Sequence, residues 1–138
     1  TKLKVCIHFI TDGDIAGVLS VIGDNPKNDI YYSTGGGPEG VLAAAALSCY
    51  EGQIQGRLVL NDEERIRAKK LGINDFSKKY NLEDMAKGDI IFCATGVTNG
   101  DLTNGVKDLG NEYEVNTFAL HKSKNINKIV KNIYNKWA

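Results

Sequence analysis

Residues Ser33 to Gly40 read Ser-Thr-Gly-Gly-Gly-Pro-Glu-Gly, and they constrain this chain more than any other stretch. A short apolar run, Ile30-Tyr31-Tyr32, precedes them, and an alanine-rich run, Val41 to Tyr50, follows. The pattern predicts a strand, a glycine loop and a helix. Consecutive glycines permit either a tight bend or the close approach of another group to the backbone. Pro38 suits the first helical position, where its missing N–H costs nothing. Glu39 then falls in the first turn, where the helix carries a partial positive charge. A carboxylate beside free N–H groups could ligate a metal while the amides hold a phosphate. The same letters also describe an ordinary glycine turn with a favourable first-turn glutamate.

On either side, apolar and polar stretches alternate. Leu3 to Ile10 is mostly apolar and predicts a buried strand, with His8 as a core histidine. Thr11-Asp12-Gly13-Asp14 follows, then a short helix from Ile15 to Ile22, which Asp14 could cap. Asp29 to Ser33 is the second predicted strand, and a third ends in Leu58-Val59-Leu60. Asn61 and Glu64 have capping-box spacing for a charged helix from Asp62 to Leu71, with Gly72 as its C-cap. Asn81 to Lys87 predicts a short helix closed by Gly88. Asp89 to Ala94 predicts a buried strand, and Glu112 to His121 another. From Ser123 to Trp137 the apolar residues Ile126, Ile129, Val130, Ile133, Tyr134 and Trp137 recur at steps of three and four. That spacing predicts an amphipathic helix with its lysines outward. The alternation implies one α/β domain over residues 1–138, a mainly parallel sheet flanked by helices.

Three polar, glycine-containing loops, Thr11 to Asp14, Thr34 to Glu39 and Thr95 to Asp101, each follow a predicted strand. In parallel α/β sheets ligands bind at that edge, so Asp12, Asp14 and Glu39 are expected within reach of one ligand. Oxygen donors suit magnesium or manganese, and carboxylates can equally accept from sugar hydroxyls. These groups are too few for a two-metal site, and no nucleophile–base pair accompanies them. The residues themselves read as half an active site.

Bulk properties narrow the partners. Lys+Arg and Asp+Glu are both 17, which argues against a general nucleic-acid binder. No apolar run reaches the roughly 18 residues of a membrane span, so a cytoplasmic protein with no membrane association is expected. The 3 cysteines are far apart; Cys6 and Cys93 lie in apolar runs, which predicts buried free thiols and neither a disulfide framework nor a zinc site. The first residue is not methionine, and a piece of a longer protein is expected.

Four segments together resemble class II fructose-1,6-bisphosphatases: Ile-Thr-Asp-Gly-Asp-Ile-Ala-Gly (10–17), Gly-Gly-Gly-Pro-Glu-Gly-Val-Leu-Ala-Ala-Ala-Ala-Leu (35–47), Gln-Gly-Arg-Leu (55–58) and Gly-Asp-Ile-Ile-Phe-Cys-Ala-Thr-Gly-Val-Thr-Asn-Gly-Asp-Leu (88–102). The resemblance implies metal-dependent hydrolysis of a sugar bisphosphate to a monophosphate and phosphate, with Mn2+ or Mg2+. By motif, Asp12, Gly13, Asp14 and Gly36 match substrate contacts, and Glu39 matches the glutamate that completes the metal site. Gly37 stands where many relatives have alanine. Asn99 stands where many have aspartate and is given no role. The family's other metal carboxylates, its Trp-Glu-Gly-Thr segment with the catalytic threonine and its Lys-Pro-Arg phosphate clamp are expected upstream of Thr1. The resemblance therefore implies the C-terminal lobe of a two-lobed sugar phosphatase, with no catalytic residue of its own and inactive without the N-terminal lobe. A homo-oligomer is expected of the full-length protein. The competing expectation is a non-enzymatic module that binds a sugar phosphate or a nucleotide.

Overall fold

The structure is a computed structural model and describes residues 4–11, 13–23 and 25–136. Helices and strands mix along the chain. In order they are α1 (Asp14–Leu19), α2 (Gly37–Ser48), β1 (Gln55–Arg57), α3 (Asp62–Lys70), β2 (Lys79–Asn81), α4 (Leu82–Met85), β3 (Ile91–Thr95), β4 (Lys107–Asp108), β5 (Glu112–His121) and β6 (Ile126–Asn135).

Helix α2 is the centre of the packing. Its alanines carry little bulk, so neighbours approach closely on two sides. On one side Ala46 meets Phe92, Phe118 and Leu120 of the sheet, with the two phenylalanine rings edge to face at 6.5 Å. On the other, Ala43 and Leu47 meet Val18 of α1, and Ile15, Ile22, Tyr31, Ile54 and Leu82 close around them. No helix among the described residues is long and apolar enough to cross a membrane.

The expected mainly parallel sheet is not found: among the described residues every strand pair is antiparallel. Strand β5 pairs with β3 and β4 along one edge and with β6 along the other, while β1 and β2 form a separate two-stranded ribbon. Strand β3 also differs from the two-faced burial expected of Asp89 to Ala94. Phe92 is buried, while Ile91, Cys93 and Thr95 face outward. This is the alternation of an antiparallel sheet covered on one face.

The largest departure is the last segment. Residues 126–135 form β6, which runs back along β5 from Glu112↔Asn135 to His121↔Ile126. Trp137 lies outside the described residues. Positions 126, 130 and 134 share a face in a helix and equally in a strand, because a step of four is a multiple of two. The β-branched residues Ile126, Ile129, Val130 and Ile133 favour the strand. Asn125, in the left-handed region at φ 48°, makes the reversal between β5 and β6. The tail lysines serve the sheet: Lys131 pairs with Glu114 at 2.8 Å and Lys136 with Asp108.

Two other predicted strands do not form among the described residues, Leu3 lying outside them. Residues 4–10 and 29–33 are in no ladder, and the strand expected to end at Leu60 lies earlier, at β1. Val5, Ile7, Phe9, Ile30, Tyr32 and Val59 are exposed. His8 and the thiols of Cys6 and Cys93 are exposed too, and only Cys49 is part-buried, so the expected buried thiols and core histidine are not found. Among the described residues no strand pairs with these runs, so most of their apolar side chains stay exposed, while Tyr31 alone of those in 29–33 packs on the core.

Local signals fare better. Asn61 and Glu64 close the capping box of α3, with Glu64 N–H donating to Asn61 Oδ1 at 2.9 Å and Asn61 N–H to Glu64 Oε2 at 2.8 Å. Helix α4 is shorter than expected and begins with the same device, built by Asn81 and Asp84.

Candidate functional site

Helix α1 starts abruptly because Gly13, at φ 83°, turns the chain in the left-handed region. A side chain there is strained, so glycine at this position is a backbone requirement. Asp14 follows in the first turn, where its charge complements the helix N-terminus. Its carboxylate is held by a group from a different segment: the Tyr31 hydroxyl donates to Asp14 Oδ1 at 2.7 Å. The second oxygen, Oδ2, faces Gly35, where an added Cβ would lie 3.1 Å from it. Burial pushes the Tyr31 phenol above its ordinary range; Ser33 opposes that shift and Asp14 adds to it.

Helix α2 opens one step further along. Gly36 is its N-cap, at φ −70° and ψ 156°, and Pro38 lies in its first turn. Glu39, also in the first turn, is exposed and folds back over Gly36. A Cβ at Gly36 would collide with Glu39 Oε2. None of Gly35, Gly36 and Gly37 has positive φ. Of the two uses open to these glycines, Gly35 and Gly36 show close approach, Gly37 faces open space, and none makes a left-handed bend. Two adjacent glycines each lie beneath a carboxylate, Asp14 over Gly35 and Glu39 over Gly36.

Of the residues singled out from the sequence, Gly13, Asp14, Gly36 and Glu39 therefore sit around the paired helix N-termini of α1 and α2. Asp12 lies outside the described residues. The third loop reaches this region by another side. Beyond β3 the chain folds on itself: Asn99 Oδ1 accepts from Gly105 N–H at 2.9 Å, and Val106 N–H donates to Val97 O at 3.2 Å. Asn99, given no role from the sequence, closes this loop. Asp101 at its end shares with Gly13 the wall of a groove of about 430 Å³, which also bears His8, Lys27 and Leu102. The first two loops meet through the packing of α1 on α2, not through neighbouring parallel strands, and the third shares with them only the groove beside Gly13.

Tyr31 and Gly17 escaped the sequence reasoning. A Cβ at Gly17 would lie 2.5 Å from Tyr31 Cε2 and 2.8 Å from Ile10 Cδ1, so the aromatic ring occupies the space that Gly17 leaves. The available signal was a glycine inside an apolar helix, which usually has a packing reason.

The donor set is chemically hard. Carboxylate oxygens suit Mg2+ or Mn2+, and an exposed glutamate at a helix start fits as a single ligand. No group of three or more His, Cys, Asp or Glu side chains that could hold a metal ion occurs among the described residues. Glu39 fits as one contributor to such a centre, and the described residues do not complete it.

Comparison with known proteins gives a consistent result. Residues 1–134 match the sequence model of a family described as bacterial fructose-1,6-bisphosphatase, glpX-encoded. Fructose-1,6-bisphosphatase 2 class 2 of Escherichia coli K12 is 35% identical over 136 aligned residues, covering 87% of this chain and 42% of the relative. Fructose-1,6-bisphosphatase 1 class 2 of the same organism is 34% identical over 144, covering 93% and 43%. A class 2 enzyme of Shigella flexneri matches to the same degree as the latter. The chain thus spans about four-tenths of the length of these relatives.

Proposed function

This chain belongs to the glpX-encoded family of bacterial fructose-1,6-bisphosphatases, and from that premise we propose that it supplies the substrate-contacting and metal-completing part of such an enzyme. The reaction is hydrolysis of fructose 1,6-bisphosphate to fructose 6-phosphate and phosphate. The observation that carries this reading is the pair of carboxylates, Asp14 and Glu39, set over the adjacent glycines Gly35 and Gly36. Those glycines bring no side chain between a ligand and the carboxylates. Asp12, Gly13, Asp14 and Gly36 contact the sugar: the aspartates accept from its hydroxyls, and the glycines admit it to the backbone. Glu39 supplies one oxygen to the metal. When bound, a divalent ion neutralises charge on the transferred phosphoryl group.

The remaining ligands and the catalytic groups come from outside these 138 residues. Two features support this: the family match over less than half of the relatives' length, and the exposed apolar runs around Val5, Ile7, Phe9, Ile30 and Tyr32. An exposed patch of this kind marks an interaction surface.

Phosphate release from fructose 1,6-bisphosphate with Mn2+ or Mg2+ tests the reading. The chain alone is expected to release none, and release is expected after co-expression with the remaining portion of an Escherichia coli relative. Turnover by the chain alone would overturn the division of labour. Binding of the bisphosphate that persists unchanged in Asp14→Ala and Glu39→Ala variants would overturn the site.

A further inference from the structure

We propose that Tyr31 is the positioning residue for Asp14, fixing its carboxylate so that Oδ2 alone, above Gly35, is open to accept a hydrogen bond from a sugar hydroxyl. This rests on the reading above that Asp14 contacts the sugar. An ionised aspartate is acceptor-only, with two oxygens to offer. The Tyr31 hydroxyl occupies Oδ1 at 2.7 Å, and a hydrogen bond to a charged acceptor is of the stronger kind. Oδ2 looks onto a glycine, where no side chain blocks approach.

Tyr31 is itself anchored. Its ring packs on the Val18, Ala43 and Leu47 cluster and fills the space left by Gly17. Glycine is a poor residue for a helix interior, so its presence in α1 matches the need for room under this ring. The clamp joins three separate segments: α1 supplies the carboxylate and the empty space, residue 31 the donor, and residue 35 the open approach. A phenol with an ordinary value of 10.0, raised further here by burial, stays protonated, and so a donor, through the neutral range. The free oxygen suits a hydroxyl and not a phosphate, because a carboxylate repels a second anion.

The test is Tyr31→Phe in the 138-residue chain, which keeps the ring on Gly17 and removes only the donor. Hα–Hβ couplings in that chain report the Asp14 side-chain rotamer, and calorimetry with fructose 1,6-bisphosphate, run without metal on the chain co-expressed with the remaining portion of an Escherichia coli relative, reports binding. The wild type is expected to hold one Asp14 rotamer and Tyr31→Phe to average several. Affinity is expected to fall about tenfold in Tyr31→Phe and to fall no further when Asp14→Asn is already present. A single unchanged rotamer in Tyr31→Phe overturns the proposal, as does an equal loss of affinity in both backgrounds. Loss of the fixed rotamer together with a bisphosphate affinity of that complex unchanged by Tyr31→Phe and by Asp14→Asn would support the positioning role and refute the sugar contact, so the two failures are distinct.

Discussion

Glu39 lies folded over Gly36 so closely that a methyl group at position 36 would occupy the place of its carboxylate oxygen. The Gly36 backbone, at φ −70° and ψ 156°, is one that any residue adopts. Gly36→Ala is therefore expected to leave the melting temperature nearly unchanged, within the roughly 0.5 kcal/mol typical of surface substitutions, while swinging Glu39 away. In the complete enzyme the expected consequence is a Mn2+ affinity lower by about tenfold, measured by titration. Gly13→Ala should do the opposite. At φ 83° the added side chain costs about 1–2 kcal/mol, read as a lower melting temperature.

Gly17→Ala reverses the usual sign of a helix substitution. In an open helix interior the change stabilises by about 0.8–1 kcal/mol. Here the new methyl would meet the Tyr31 ring and Ile10. A lower melting temperature than wild type is expected, together with a change in Tyr31 fluorescence or ring chemical shifts.

The Tyr31–Asp14 pair also predicts an alkaline limit. The folded phenol ionises above its ordinary value of 10.0, first through burial and then through Asp14. The native state thus holds this proton more tightly than the unfolded chain. Its contribution to stability is present below pH 10 and is lost as pH rises through the folded value. Thermal melts between pH 8 and about 11 should show a steeper decline for the wild type than for Tyr31→Phe.

Asp89 predicts an acid limit of the other sign. Its carboxylate accepts from Ser123 Oγ at 2.7 Å, from Ser123 N–H at 3.0 Å and sits 2.9 Å from His121 Nε2, tying the β5–β6 turn to the entry of β3. Ser123 first, then His121, hold it far below the usual carboxylate range. That contribution is present above about pH 4, the unfolded value, and is lost as pH falls toward the folded one. Asp89→Ala should melt below wild type at pH 7, and the difference should shrink progressively in melts taken below pH 4.

Interactions three or four residues long were legible from the chain alone. The opening of α2 around Pro38 and Glu39 and the capping box of Asn61 and Glu64 were readable, because neighbouring residues enforce them, and the span of β5 from Glu112 to His121 was readable from its apolar alternation. Family membership was legible too, since spaced motifs survive without knowledge of their contacts. What tertiary structure decided is pairing. Residues 126–135 carry a spacing that reads as a helix, their β-branched residues lean toward a strand, and the ladder offered by β5 decides for the strand. The parallel sheet expected from strand–helix alternation gave way to antiparallel pairs for the same reason: strand direction depends on which neighbour is reached, and a local pattern does not encode it. The hold of Tyr31 on Asp14 and the space kept for it at Gly17 lay equally out of sight, because each exists only once the packing of α1 on α2 has brought distant residues together.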